Sequence, residues 1–105
     1  MKKKKSARLT RTTILRALDE HEELLRKYSV KRIGLFGSHA RNRPRRGSDV
    51  DFLVEFEKPT YDNFYDLSVS LERLFRRRIE LVTSRSLSVH LRPFVEKEVA
   101  WHEVR

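Results

Sequence analysis

Residues 49–56 alternate: Val50, Phe52, Val54 and Phe56 fall on one side of an extended segment, while Asp49 and Asp51 open the other. Side chains two apart in a strand share a face, so this stretch predicts a strand with one face against a core. The two aspartates then project together. Adjacent like charges repel, and folding gains nothing by placing them there. A divalent cation is the simplest group that would make the pair tolerable. Taken alone, an Asp-x-Asp is more often two solvated aspartates at the start of a strand, so its meaning rests on the rest of the chain.

The rest supplies layers for that strand to pack on. Residues 1–9, with lysines at 2–5, read as a basic arm, and residues 10–105 as one domain. Between 12 and 28, Ile14, Leu18, Leu25 and Tyr28, with Ala17 and Leu24 beside them, recur at helical spacing and predict one helix. His21 lies on that stripe and reads as a partly buried packing residue. Residues 30–36 are β-rich and run into a tight turn at Gly37-Ser38, followed by a short helical turn at 39–41. Residues 42–48, with Pro44 and Gly47, are loop. Pro59-Thr60 breaks the chain and caps a helix over 62–77, whose stripe is Phe64, Leu67, Leu71, Leu74 and Phe75. A third strand at 79–83 and a turn at 84–86 lead to a last helical region. Pro93 interrupts it, and Phe94, Val95, Val99 and Trp101 are its apolar members. The expected fold class is α/β (α+β), a small sheet covered by helices.

A chain of 105 residues is a single domain with one modest core. No apolar run approaches the ~20 residues needed to span a bilayer, which argues against a membrane protein and for a cytoplasmic one. With no cysteine, thiolate metal sites and disulfides are excluded. Any metal must be held by oxygen or imidazole, and oxygen suits Mg²⁺ or Mn²⁺. The net charge of +9 favours polyanionic partners, nucleotides and nucleic acid among them.

Glu80 is the third acid. It is flanked by Ile79 and Leu81 in the third strand and points away from an apolar row. If the second and third strands are neighbours, Glu80 joins Asp49 and Asp51 in a three-carboxylate cluster suited to Mg²⁺. Two ions ~3.5–4 Å apart could then clamp the attacking and leaving oxygens of an in-line displacement. The bland alternative for Glu80 is a salt bridge to one of the many arginines. Gly37 lets a backbone approach a ligand closely, Ser38 offers an amide and a hydroxyl, and Arg41 lies three residues on, placed to neutralise a phosphate.

The run Gly37-Ser38-His39-Ala40-Arg41, followed by Ser48-Asp49-Val50-Asp51-Phe52-Leu53-Val54, resembles the minimal nucleotidyltransferases of the DNA polymerase β superfamily. Their signature is Gly-Ser, ten residues, then Asp-x-Asp, with a third carboxylate in a strand such as Ile79-Glu80-Leu81-Val82-Thr83. The segment from Leu87 to Val95 is similar to the family's C-terminal part. The resemblance implies a mixed sheet of the polymerase β palm type, with Asp49, Asp51 and Glu80 as catalytic metal ligands. It also implies that Gly37 and Ser38 hold the triphosphate of ATP or another nucleoside triphosphate, and that pyrophosphate is released. Relatives of this size are commonly paired with a HEPN-type ribonuclease toxin, and some act as its antitoxin by adenylylating a tyrosine. The chain departs from the pattern at Glu80, where Asp is frequent, and in its basic loop of Arg43, Arg45 and Arg46. Two alternatives stay open: a basic module that binds RNA, and an antitoxin that neutralises its partner by binding alone.

Overall fold

The computed structural model describes residues 9–44 and 47–105. The lysines at 2–5, and Arg45 and Arg46, lie outside the described residues. The elements are α1 (Arg11–Glu20), α2 (Glu22–Lys27), β1 (Val30–Phe36), β2 (Val50–Phe56), α3 (Tyr61–Phe75), β3 (Ile79–Thr83), a 3₁₀ turn (Ser84–Ser86), α4 (Arg92–Glu98) and β4 (Ala100–Glu103). The strands order as β3-β2-β1-β4. β1 is antiparallel to both β2 and β4, whereas β2 and β3 run parallel. The sheet is therefore mixed, and the fold is α+β, as the sequence implied.

Alternation along β2 divides the sheet's two faces. Val50, Phe52 and Val54 are fully buried with Ile33 and Leu35 of β1, against Ile14 and Leu18 of α1, Leu25 of α2 and Leu67 and Leu71 of α3. Each such side chain contributes roughly 1.5–3 kcal/mol by leaving water. Phe56, expected on the same buried row, is only partly covered and packs at the edge of this core. Arg32 opposes Glu55 across β1 and β2 on the other face, and the two form a forked ion pair with both contacts at 3.0 Å. Thr60 caps α3 as expected, its hydroxyl accepting from the Asn63 amide at 3.1 Å. No helix among the described residues is long and apolar enough to cross a membrane.

Three local expectations need correction. The single helix over 12–28 is two helices, broken at His21 with φ −119° and ψ 41°. There the backbone amide turns to the Leu18 carbonyl at 3.2 Å, and the ring takes the Ala17 carbonyl at 2.8 Å. His21 is exposed rather than a packing residue. Residues 39–41 wind as overlapping turns and not as a helix.

The last helical region ends at Glu98, and Trp101 stands in a strand. β4 pairs Ala100 with Leu35 and Trp101 with Gly34. Gly34 accommodates this because a Cβ there would overlap the Val99 side chain and crowd the indole. The Arg32 guanidinium lies 3.8 Å over the Trp101 ring, and His102 Nε2 lies 2.6 Å from Glu22 of α2. A helix-like apolar spacing loses here to cross-strand pairing, which satisfies the backbone and covers part of the indole together.

Candidate active site

β1 delivers the chain to Gly37, whose φ of 79° is a left-handed conformation that favours glycine. A Cβ at Gly37 would also overlap the Asp51 carboxylate, so glycine is required twice over. Beyond it the backbone curls tightly. The Ala40 and Arg41 amides donate to the Gly37 carbonyl at 3.1 and 3.2 Å, and the Arg43 amide donates to Ser38 at 2.8 Å. The curl closes at Asn42, itself left-handed with φ 57°, whose side-chain oxygen accepts from the first amide of α1 at 3.1 Å. Ser38 and Arg41 thus sit on a short, internally bonded turn against the end of the sheet.

The carboxylates gather from the neighbouring strands. Asp51 pairs with Phe36 on β1 and with Glu80 on β3. Residues opposite one another in a ladder share a face, so Asp51 and Glu80 project together. Asp49 lies just before β2, beside the point where the Val50 amide bonds to the Arg78 carbonyl at 3.0 Å. Burial pushes Asp51 up from 3.8 to about 6. The charges of Glu80, Asp49 and Glu98 add to the rise, and Arg41 opposes it. The turn and the acids are therefore one electrostatic unit.

Glu98 is the member that sequence reasoning missed. It is the last residue of α4, and its carboxylate bridges the turn. One oxygen accepts from the Gly37 amide at 3.0 Å and the other from Arg41 Nη1 at 2.7 Å. Nothing in its own neighbourhood signals this, because the partners lie 61 and 57 residues away. His39, between Ser38 and Ala40, is fully buried, and neither ring nitrogen completes a hydrogen bond of ordinary geometry. Burial first, then the Arg77 charge, lower its pKa against the opposing Asp49 backbone, so it packs as a neutral ring.

Two other features lie apart from this cluster. Asp19, Glu22 and His102 bring donor atoms within 4.8 Å of one another. They are already engaged, however, with Glu22 meeting His102 at 2.6 Å and the Arg105 amide at 3.1 Å, and Asp19 meeting the Arg105 side chain at 3.4 Å. A hollow of about 650 Å³ at the far ends of β2 and β3 is lined by Glu55, Glu57 and Arg85, among others. It holds none of the residues gathered around Gly37.

The charge pattern decides what the cluster can do. Asp49, Asp51 and Glu80 are all hard oxygen donors, and burial first, then its like-charged neighbours, makes Asp51 costly to ionise. Their donor chemistry suits a divalent cation of the Mg²⁺ kind, while among the described residues only Asp19, Glu22 and His102 bring three such donor atoms within 4.8 Å of one another. Beside Asp51 stand the amide and guanidinium donors that phosphate oxygens require. Oxygen donors suited to a cation beside amide and guanidinium donors suited to phosphate, on a mixed sheet, are what nucleotidyl transfer requires. The chain is a member of the family described as the nucleotidyltransferase domain, which matches residues 18–102. Among its relatives is the protein adenylyltransferase MntA of Thermococcus cleftensis, 38% identical over 97 residues, covering 90% of this chain and 98% of that one. A solved structure described as a minimal nucleotidyltransferase superposes with a TM-score of 0.77 at 30% identity, over 90% of this chain and 98% of that chain. A chain from the complex of a tri-AMPylated Shewanella oneidensis HEPN toxin with MNT antitoxin shares the fold, with a TM-score of 0.58 at 23% identity, over 81% and 67% of the two chains.

Proposed function

We propose that this protein transfers AMP from ATP to a tyrosine hydroxyl of a HEPN-type toxin partner and acts as its antitoxin. The observation that carries the reading is Gly37 wedged against Asp51, with Asp51 in register with Glu80. That contact sets the turn read as a phosphate cradle directly against the acidic cluster. The MntA relative, matched over nearly its whole length, supports the donor and the reaction. The AMPylated toxin in the complex of the same fold supports the class of acceptor.

In this reading Asp49, Asp51 and Glu80 hold Mg²⁺, two ions by preference, with Mn²⁺ as a substitute. When bound, the ions neutralise the carboxylates and the phosphate charge that develops in transfer. The chain's own groups do the rest. The Ser38 amide and hydroxyl and the Arg41 guanidinium bind the outer phosphates, orienting the α-phosphorus towards the open face. The tyrosine hydroxyl gives up its proton to solvent, its oxygen bonds to that phosphorus as the bond to the β-phosphate oxygen breaks, and pyrophosphate leaves with the bonding pair. The partner supplies the hydroxyl and its surroundings.

The RNA-binding alternative is less well supported. A polyphosphate chain laid across this face would meet Asp49, Asp51, Glu80 and Glu98, and Phe52 and Phe75 are buried rather than available for stacking. The test is incubation with α-labelled ATP and Mg²⁺, with and without a HEPN-type partner, followed by mass analysis of the partner. A gain of AMP on a partner tyrosine is expected. Absence of label with the partner present, alongside intact complex formation, would leave binding alone as the antitoxin's mechanism.

A further inference from the structure

The two donors at the ends of the phosphate turn, the Gly37 amide and the Arg41 guanidinium, both point at one carboxylate of the chain itself. Glu98 is not a casual surface contact. Its side chain is 27% exposed, against 55% for Arg41. Its backbone is held on both sides. The preceding turn of α4 is anchored by buried Val95, and the next residue, Val99, packs against Gly34 before β4 pairs with β1. β1 is the strand that runs into Gly37, so the support of Glu98 and the turn it grips are parts of one rigid unit.

A carboxylate in this position could act in two ways. It could occupy the place of a phosphate and have to be displaced, or it could stay and hold the turn in shape. The donor count favours the second. A guanidinium carries five N–H groups, and among the described residues the Arg41 side chain commits only Nη1, to Glu98. The remaining edge can meet a phosphate while Glu98 keeps its grip. The Gly37 amide, turned to Glu98 on one side, leaves the residue's other side against Asp51.

We propose that Glu98 is a positioning residue of the nucleotide site, a clamp that fixes the Gly37 turn and aims the free edge of Arg41 at the triphosphate. This rests on the reading of the turn as a phosphate cradle. A merely structural carboxylate would affect stability without separating nucleotide affinity from turnover.

The experiment uses Glu98→Gln, Arg41→Ala and the double variant in the full chain. Binding of a non-hydrolysable ATP analogue with Mg²⁺ is measured by calorimetry, and KM and kcat are measured in transfer. Glutamine keeps the shape but can accept from only one of the two donors, so analogue binding should weaken about tenfold, the scale of one charge-assisted hydrogen bond. KM should rise by the same factor, with kcat changed less than about twofold. In the Arg41→Ala background part of that loss should vanish, because one of the two contacts Glu98 makes is already gone. Tighter binding in Glu98→Gln would show a carboxylate that competes with phosphate, and unchanged or fully additive effects would remove the clamp; each overturns the proposal. Should Glu98→Gln not fold, Arg41→Lys decides. A single ammonium cannot grip Glu98 and aim a second edge, so wild-type affinity in that variant would also overturn it. If the wild-type protein itself binds no analogue, the failure belongs to the nucleotide reading and not to Glu98.

Discussion

Asp51 and Glu80 stand side by side on parallel strands, paired in register where β2 passes the Gly37 turn. Glu80 makes Asp51 costlier to ionise and is the largest single charge effect on it after burial. Glu80→Gln should therefore bring the Asp51 carboxyl back towards its ordinary range while abolishing transfer. Glu80→Asp should keep measurable activity with a weakened Mg²⁺ response, since a carboxylate remains but must reach further. Carboxyl titration by NMR together with an Mg²⁺-dependence assay checks both. Full activity in Glu80→Gln would remove the residue from the site.

Asp49→Asn and Asp51→Asn should each abolish transfer without lowering the melting temperature of the metal-free protein. The amide relieves like-charge repulsion at a position whose burial serves the site and not the core. Thermal unfolding without metal checks this. A clear fall in melting temperature for both variants would make the aspartates structural.

The raised Asp51 group sets a direction for pH. Its folded pKa of about 6 lies above the ordinary 3.8, so the folded state binds the proton more tightly than the unfolded chain. The stability this contributes is fully present below 3.8 and is lost as pH rises through about 6. Metal-free protein should show that loss, and Asp51→Asn should flatten it. Mg²⁺ binds the ionised form, so it should raise the melting temperature more near about pH 8 than near about pH 5. Equal stabilisation at both would place the ion elsewhere.

Ser38→Ala and Arg41→Ala should weaken nucleotide use rather than folding, because both lie on the turn and outside the main core. Each charge-assisted contact is worth about 1.5–3 kcal/mol, or roughly ten- to a hundredfold in apparent affinity or rate. Nucleotide titration checks the size, and wild-type behaviour in both variants would end the cradle reading.

The basic loop between turn and acids should serve the partner. Arg43 is exposed beside the site. Changing Arg43, Arg45 and Arg46 together to Ser should cause a salt-sensitive loss of partner binding while nucleotide affinity stays nearly unchanged. Loss of nucleotide affinity with partner binding intact would assign the loop to steering ATP instead.

Much of this molecule is readable from local pattern. The alternation over 49–56 announces β2 and its two faces, and the stripe from Phe64 to Phe75 announces α3. Gly37 announces a turn that glycine alone accepts readily. These signals are local because they arise from side-chain periodicity and backbone freedom within a few residues. The same logic misleads at His21, where one ring bonded to the Ala17 carbonyl interrupts a stripe that looks continuous. It misleads again at Trp101, whose place was decided by a glycine on β1 and not by its neighbours in the chain.

The sequence by itself determined that Asp49 and Asp51 stand two apart at the head of an alternating segment, that Gly37-Ser38 precedes them by ten residues, and that any metal here meets oxygen or imidazole. Only the tertiary structure decided that β3 lies parallel to β2 in the register that sets Glu80 beside Asp51. It alone decided that α4 ends with Glu98 bridging Gly37 and Arg41. The reason is physical. A strand's alternation specifies which side a residue faces, but which residue it meets there depends on pairings between segments far apart in the chain. Those pairings are selected by burying one common core and satisfying every backbone group at once.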